Sequence, residues 1–443
     1  MEMQTQAQVQ DYYARSAENY ARYWLTFIHS HRGDGTVLYG ELQNILSAFD
    51  LADRYGLHTI LIQGLDGVYQ TYEDRGLYGL LKAQLVRAKR AAQAEADVSA
   101  LARIALRSGR VAMRTYDLDE ARIHWQQGLA LARRLADPVL MGCMETELGV
   151  LAIESRHYTE SEDHLQQALI LAQASQDSEQ ICVVLGELCR LAYLRRDFDR
   201  AEGYINLALP LTEAHHLPHR TTGLLVYLGI IQEERGDNEL ARRYWVQGLA
   251  LARQVGNLAR ICNLLVNLGM NANAAGMWDQ AEAYLLEGLD LARRLGQRQE
   301  TSHLLMDLGL LYGRQGHLDQ AEAYMDESMQ LARDIGHMPL ISFNLLQQGE
   351  FYLERGMWER AADSFHECTP LAASEERRDR EKAAAAHWGL ARAAAAWNHI
   401  EEAVAEAESS LTLYNSLQHH HVETISAWLD RLTQQKTENE VDP

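Results

Sequence analysis

Small and large apolar residues recur along this chain with a period of 40 residues. In the segment DQAEAYLLEGLDLARRL, for example, the small residue Ala281 is followed four positions later by Leu285. Equivalent small residues stand at Ala121, Ser161, Ala201, Ala241, Ala321 and Ala361, and a last copy follows at Ala403. Because residues four apart share one face of an α-helix, the pattern predicts an amphipathic helix in every copy, here named helix B.

A second pattern precedes each helix B. A glycine lies twelve residues before the small residue of helix B, or fourteen in the last copy, within apolar runs such as LLMDLGLL. These glycines are Gly109, Gly149, Gly229, Gly269, Gly309, Gly349 and Gly389, and Cys189 takes the place of glycine in one copy. Turn-forming segments such as RGDNEL and AGMWDQ separate the two patterns, so each repeat is expected to be helix A, a turn, helix B and a second turn. One such hairpin cannot bury its apolar face alone, and we therefore expect neighbouring hairpins to stack.

The order of small and large residues resembles the tetratricopeptide repeat. The resemblance rests on Leu-Gly, on a tyrosine three residues later at Tyr312 and Tyr352, and on the alanine and bulky residue of helix B. It implies an all-α fold, a right-handed superhelix (an α-solenoid) of about eight helix-turn-helix repeats with an N-terminal helical extension. The period of 40 residues exceeds the family's usual period of about 34, which implies that the helices are longer by about a turn.

Domain boundaries follow from the same pattern. We expect an N-terminal helical extension over residues 1–55, a degenerate repeat over 56–95 and the repeat array over 96–416. A C-terminal capping helix is expected over 417–432. The polar sequence TQQKTENEVDP predicts a disordered tail over 433–443.

The N-terminal extension carries a second resemblance. It contains two predicted helices joined by HSHRGDGT, and its segment LYGELQNILSAFDLA resembles the helical linker that follows the ATPase core of bacterial STAND-class signalling ATPases. In that class the core and linkers precede a tetratricopeptide sensor. The resemblance implies that this chain is the ligand-sensing region of such a signal-transduction ATPase, or a stand-alone relative. The nucleotide-binding core is absent from this sequence, which contains no GxxxxGK[ST] segment.

The net charge of the chain indicates which classes of partner it can bind. The chain has 41 lysines and arginines against 62 aspartates and glutamates, a formal net charge of −21. Such a surface repels nucleic-acid phosphates and anionic lipids and favours basic or neutral partners. No apolar run is long enough to cross a bilayer and the N-terminus has no signal-peptide pattern, so a cytoplasmic location is expected. The five cysteines form no CxxC pair and predict reduced thiols, most of them in the core.

No catalytic or metal-binding motif stands out. His419–His421 are adjacent, and adjacent helical residues point about 100° apart, so these imidazoles do not converge on a metal. His215, His216 and His219 lack the cysteine or carboxylate that would complete a zinc site. We therefore expect no enzymatic activity, no catalytic residue, no metal site and no cofactor.

Candidate ligand-binding residues are predicted on helix A, which lines the concave face of a solenoid. They are Arg103, Arg107, Tyr227, Asn263, Asn267, Asn271, His303, Asp307 and Gln347. Asn263, Asn267 and Asn271 are spaced four residues apart along one helix face, although asparagine is a poor helix former. Their amides can donate to and accept from an extended peptide. A polar solvent-facing surface, or hydrogen bonds between helices, would explain them equally well.

These observations favour a scaffold that binds a protein or peptide. The alternative is a structural scaffold that associates with itself and has no separate ligand. A third hypothesis, an enzyme or a regulator that binds a small molecule between helices, finds no supporting motif. The expected partner is therefore a basic or neutral protein or peptide, or a second copy of the chain, and neither nucleic acid nor membrane is expected.

Overall fold

The computed structural model describes residues 2–370, 377–417 and 421–441, with side chains for 10–370, 379–417 and 421–434. Within these residues the chain forms 22 α-helices and no β-strand, so the all-α prediction is confirmed. None of the helices in this described part is both long and apolar enough to cross a membrane.

The chain divides into two compact units, residues 1–227 (unit 1) and 228–443 (unit 2), and the division falls within helix α12. The helices that begin in unit 1 are α1 (Glu2–Ser30), α2 (Gly35–Gly40), α3 (Leu42–Arg54), α4 (His58–Asp74), α5 (Tyr78–Ala94), α6 (Val98–Arg114), α7 (Leu118–Leu135), α8 (Pro138–Glu154), α9 (Tyr158–Ala174), α10 (Ser178–Leu194), α11 (Phe198–Ala214) and α12 (Pro218–Glu234). Those of unit 2 are α13 (Asn238–Val255), α14 (Leu258–Ala274), α15 (Trp278–Leu295), α16 (Arg298–Arg314), α17 (Leu318–Ile335), α18 (Met338–Glu354), α19 (Trp358–His366), α20 (Arg377–Ala396), α21 (Ile400–Ser416) and α22 (His421–Val441). From α4 onward, the even-numbered helices up to α20 are A helices and the odd-numbered ones are B helices.

The 40-residue repeat is made of two half-repeats of equal length. Most helices have 17 or 18 residues, and a residue with positive φ ends most of the turn segments between described helices, such as Tyr116 (φ 60°) in unit 1 and Gly236 (φ 86°) in unit 2. In many repeats the next residue caps the following helix: the Asp117 carboxylate accepts from the Glu120 N–H, and Asp237 accepts from Leu240 N–H. The longer period is therefore accommodated by longer helices, as the sequence implies.

The contact between helices A and B confirms the predicted roles of the small and large residues. The small residues of helix B, from Ala121 to Ala403, have no exposed surface, and neither has the large residue four positions later in the repeats from Trp125 to Phe365. A Cβ atom added to Gly309 would lie 2.6 Å from Met325 Cγ and 3.0 Å from the Ala321 carbonyl oxygen. Glycine on helix A thus leaves the space that the large side chain of helix B fills.

The N-terminal extension packs onto the first hairpin of unit 1. Helices α1 and α3 contact α4, and their buried side chains Ile28 and Phe49 belong to the same apolar cluster as Leu65 of α4. The HSHRGDGT segment leads into the short helix α2, where the Asp34 carboxylate accepts from the Val37 N–H at 3.1 Å. The extension thereby covers apolar surface that the first repeat would otherwise expose to water.

At the C-terminus, helix α22 spans His421–Val441 and continues past Leu432, where the sequence places the end of the capping helix. It packs through Trp428, whose ring lies 4.9 Å from that of Trp388 on α20. Residues 418–420 and 442–443 lie outside the described part. The domain boundaries stay predictions.

All five cysteines in the described part are free thiols. Four are buried and Cys143 is half-buried. Burial raises the pKa of Cys189 and that of Cys368 to about 12. These thiols stay protonated at neutral pH and act as small apolar core residues.

Candidate functional site

One face of each helix A stays outside the core. It carries the residues six and two positions before the helix A glycine, here called positions −6 and −2, and the residue directly after it, position +1. In α14 these are Asn263, Asn267 and Met270, of which Asn263 and Met270 are exposed and Asn267 is half-buried. Neighbouring A helices contact each other within each unit, α6 with α8 and α14 with α16 for example, so the three positions form continuous columns.

In unit 1 the predicted residues Arg103 and Arg107 are already paired. Both guanidinium groups lie against the carboxylate of Asp66 on α4, with 3.6 Å between Arg103 Nη2 and Asp66 Oδ2 and a shorter contact from Arg107. Arg107 also lies over the ring of Tyr69, 4.8 Å from its centroid. The two arginines therefore tie α6 to α4, and a ligand would have to compete with Asp66 for them.

Further ion pairs cross the same face between the next A helices. Arg110 at position +1 of α6 donates to Glu147 at position −2 of α8, with 2.6 Å between Nε and Oε1. Arg190 at position +1 of α10 donates back to Glu154 of α8 and lies 3.3 Å from Glu187 at position −2 of its own helix. Burial raises the pKa of the Glu187 carboxyl, and Arg190 opposes this shift by stabilising the carboxylate.

A groove with a volume of about 990 Å³ opens on this charged face of unit 1. It is lined by Gln70, Glu73, Tyr78, Arg110, Met113, Arg114, Tyr116, Leu118, Glu147, Val150, Glu154, Arg190 and Arg220. The ion pairs Arg110–Glu147 and Arg190–Glu154 line its walls, while Tyr116 is 82% exposed at its rim. Most of the charged residues that line the groove are neutralised by ion pairs within the chain.

Tyr227 is the last residue of unit 1. It is half-buried on α12, and its ring centroid lies 6.3 Å from that of Tyr193 on α10. It therefore takes part in an aromatic contact between A helices of unit 1.

In unit 2, positions −6 and −2 carry polar side chains without partners, although Glu350 at position +1 of α18 is paired with Arg392 of α20. Asn263 is exposed, Asn267 and Gln347 are half-buried, and Asp307 is buried, on α14, α18 and α16 respectively. Within the part of the chain that the structure describes, none of these four side chains has a hydrogen bond or an ion pair. We call these four residues the unpaired column.

Asp307 is the most unusual member of the unpaired column. It is only 4% exposed, and burial raises the pKa of its carboxyl to about 8. One turn earlier, His303 lies edge-on to Phe343, with 5.1 Å between the ring centroids. Burial lowers the pKa of His303, as do His337 and Lys382 to a smaller extent, so His303 is uncharged at neutral pH and supplies no cation for Asp307.

Asn271 does not share the open face of Asn263 and Asn267. It is 3% exposed, and its side-chain amide donates to the Asn238 carbonyl oxygen at 3.2 Å. The physical reason is its place two residues after Gly269, on the side of α14 that packs against the preceding helix B. The predicted row of three asparagines therefore contains two accessible amides and one amide that links helices.

Sequence reasoning missed the ion pairs at position +1, above all those of Arg110 and Arg190. A signal for them exists in the sequence, because Arg110 and Glu147 are 37 residues apart, close to one repeat. Opposite charges about one repeat apart on helix A thus predict a pair across neighbouring A helices.

Within the described residues, no group of three or more histidine, cysteine, aspartate and glutamate side chains is arranged to hold a metal ion. Of the linker histidines, His219 lies 3.6 Å from Glu179. His421 packs against Tyr414, with 5.5 Å between the rings, while His419 and His420 lie outside the described residues.

Residues 260–334 match the sequence model of the tetratricopeptide repeat family. No curated protein matches the chain in sequence. The structure is similar to that of a Rap protein complexed with competence and sporulation factor, with a TM-score of 0.57 and 16% identity, covering 85% of this chain and 99% of the other.

Two further solved structures share the fold. The apo form of the quorum sensor NprR from B. thuringiensis has a TM-score of 0.53 and 16% identity, with 76% of this chain and 96% of that chain covered. A STAND protein with a tetratricopeptide repeat sensor from Pyrococcus horikoshii has a TM-score of 0.52 and 13% identity. In that case 87% of this chain is covered but only 54% of the other, so this chain spans about half the length of that STAND protein.

Stacked hairpins of 40 residues, a glycine on helix A facing a large residue on helix B, and these similarities agree with one another. The protein is a helical repeat protein with the tetratricopeptide fold.

Proposed function

We propose that the protein is a non-catalytic scaffold that binds a segment of a protein or peptide across helices α14, α16 and α18. The observation that carries this proposal is the unpaired column, in which four polar side chains on three consecutive A helices have no partner among the described residues. Polar groups that fold into a half-buried position normally find hydrogen-bond partners. An incoming main chain, with one donor and one acceptor per residue, would supply them.

The dimensions support an extended ligand. Packed helix axes lie about 8–10 Å apart, so α14 to α18 span roughly 16–20 Å. An extended chain rises about 3.3–3.6 Å per residue, so about five or six residues would reach across. Asn263 and Asn267 would bond the main chain at one end and Gln347 at the other, beside the His303–Phe343 ring pair.

The comparisons are consistent with this function without identifying the ligand. The structurally similar Rap protein is complexed with competence and sporulation factor, and NprR is a quorum sensor. Both are similar to this chain in fold only, at 16% identity.

The test begins with a displayed library of random peptides selected against the full chain. The affinity of a selected peptide is then measured by fluorescence anisotropy for the wild type and for Asn263→Ala/Asn267→Ala. Losing two or more amide hydrogen bonds is expected to weaken binding about tenfold or more. The matched control is Asn206→Ala/Asn415→Ala, which removes two exposed asparagines from B helices and should leave the affinity unchanged.

Equal affinity of the wild type and the Asn263/Asn267 variant would exclude this surface. Self-association is the alternative, and sedimentation of the unliganded chain over a range of concentrations distinguishes it. A dimer that forms without peptide, together with a library from which nothing is enriched, would favour the structural scaffold.

We also infer that the chain is the ligand-sensing region of a bacterial STAND-type ATPase. The segment LYGELQNILSAFDLA and the similarity to the STAND protein from Pyrococcus horikoshii support this role. A ligand would act as a switch there only by binding one state of the ATPase more tightly than another. The test is ATP hydrolysis by the ATPase joined to this chain or encoded beside it, with and without a selected peptide; a rate that does not respond to the peptide would contradict the sensor role.

A further inference from the structure

Asp307 occupies a repeat position that is used differently in the two units. In unit 1 the equivalent residues at position −2 of α8 and α10 are Glu147 and Glu187, and each has an arginine partner at a position +1, Arg110 and Arg190. For Asp307 the corresponding positions +1 are Met270 on α14 and Leu310 on its own helix. Unit 2 therefore has a carboxyl group at this repeat position, as unit 1 does. The two positions that carry the arginine partner in unit 1 carry apolar residues in unit 2.

No other group nearby replaces the missing cation. On α14 the neighbouring positions carry Asn263 and Asn267, and on α18 they carry Phe343 and Gln347, all uncharged. On α16 itself His303 is uncharged at neutral pH. Lys382 on α20 donates to Ser342 Oγ at 2.6 Å and to the Pro339 carbonyl oxygen at 2.9 Å.

We propose that Asp307 selects ligands that carry a basic side chain, lysine or arginine, at the residue that crosses α16. This inference rests on the proposed peptide-binding function and names the ligand chemistry. The ammonium or guanidinium group takes the place that arginine takes in unit 1, and its aliphatic stem lies against Met270 and Leu310. Met270 is 42% exposed, so an apolar wall is available to such a stem.

The energetics favour this assignment over a purely structural role. A buried carboxyl without a partner destabilises the folded state, and such groups are normally paired. Aspartate in this place is explained if the cation arrives with the ligand, since a desolvated ion pair discriminates strongly against uncharged ligands. The net charge of −21 also attracts a basic segment over longer distances.

The experiment is a double-mutant cycle between protein and peptide on the full chain. A library-selected peptide with a basic residue is compared with the same peptide in which that residue is norleucine, against the wild type and Asp307→Asn. With the wild type, norleucine is expected to weaken binding about tenfold to a hundredfold, the range for a hydrogen bond to a charged group. With Asp307→Asn the two peptides are expected to bind within about threefold of each other.

A second variant keeps the test decisive if Asp307→Asn does not fold. Met270→Arg places arginine where unit 1 has Arg110 and pairs Asp307 within the chain. It is expected to weaken the basic peptide about tenfold more than the norleucine peptide, because both peptides lose the contact with Met270 and only the basic peptide also loses its ion pair with Asp307. The matched control is Met338→Arg, which puts the same charge at a residue that is 57% exposed at the start of α18.

The outcomes separate this inference from the proposed function. If the selected peptides share no basic residue, or if norleucine costs the same affinity in the wild type and in Asp307→Asn, the assignment to Asp307 is wrong. If Asn263→Ala/Asn267→Ala still weakens both peptides equally, the binding surface stands without its basic specificity. If that double variant has no effect, or if no peptide is enriched at all, both the proposed peptide-binding surface and its basic specificity are wrong.

Discussion

The two units differ in how residues at positions −6 and −2 of helix A are paired. In unit 1 the carboxylates Asp66, Glu147 and Glu187 all meet arginines of neighbouring turns or helices, so the face is closed by its own ion pairs. In unit 2 the face carries Asn263, Asn267, Asp307 and Gln347, and the described residues offer none of them a partner. The repeat places equivalent residues on this face in both units. A side chain links two A helices when a residue of opposite charge lies about one repeat away, and it stays unpaired when no such residue is present.

The difference also changes what each face contributes to stability. Half-buried ion pairs between A helices stabilise their stacking when both partners are present and destabilise it when one is removed. Unpaired amides contribute little to the folded state, and a buried, unpaired carboxyl opposes it. Three substitutions, from the largest expected effect to the smallest, test this comparison through the free energy of unfolding.

Asp307→Asn should have the largest effect, and it should depend on pH. Burial raises the pKa of Asp307 from 3.8 to about 8, so the folded state binds a proton that the unfolded state releases between these pH values. Relative to the variant, the wild type therefore loses stability as the pH rises from about 4 to about 8. At pH 9 the variant should be more stable by roughly 2–5 kcal/mol, and at pH 4 the two should agree.

Urea unfolding followed by circular dichroism at several pH values measures this difference. Asp326→Asn, at an exposed position of the neighbouring helix α17, is the matched control and should show no such trend. A difference that is the same at pH 4 and pH 9 would mean that Asp307 is not a buried, uncompensated carboxyl.

Arg190→Met should destabilise unit 1 by about 1–2 kcal/mol. It removes the cation shared by Glu154 and Glu187, and Glu187 has only 27% of its side chain exposed. The control is Arg134→Met, at an exposed arginine of α7 with no ion pair among the described residues. Equal urea midpoints for the two variants would show that the ion pairs of unit 1 contribute nothing to its stability.

Asn263→Ala/Asn267→Ala should have the smallest effect on stability, in contrast to its effect on binding. Alanine has the higher helix propensity and no partner is lost, so the stability is expected to stay unchanged or rise by at most about 1 kcal/mol. The thermal midpoint of the unliganded chain measures it. A clear decrease would indicate that these amides form hydrogen bonds within the folded chain and are not available to a ligand.

Much of the fold could be predicted from the sequence because its determinants are local and repeated. Gly309 on helix A, and Ala321 and Met325 on helix B, mark in the sequence where the two helices approach each other. The structure confirms that contact. The candidate site was harder. Asn271 bonds to the Asn238 carbonyl oxygen and so does not share the open face of the other two asparagines, and the pairing of Arg107 with Asp66 was not foreseen.

Helix formation and side-chain pairing depend on residues at different separations along the chain. The 3.6-residue helical period and the 40-residue repeat can be recognised in the sequence itself. The sequence alone therefore determined the helices, their hairpins and the packing of small against large residues between them. Whether a charged side chain has a partner depends on residues about one repeat away and on the direction in which both side chains leave their helices. Only the tertiary structure decided that Glu147 meets Arg110. The same is true of Asp307, which is buried without an ion pair among the described residues.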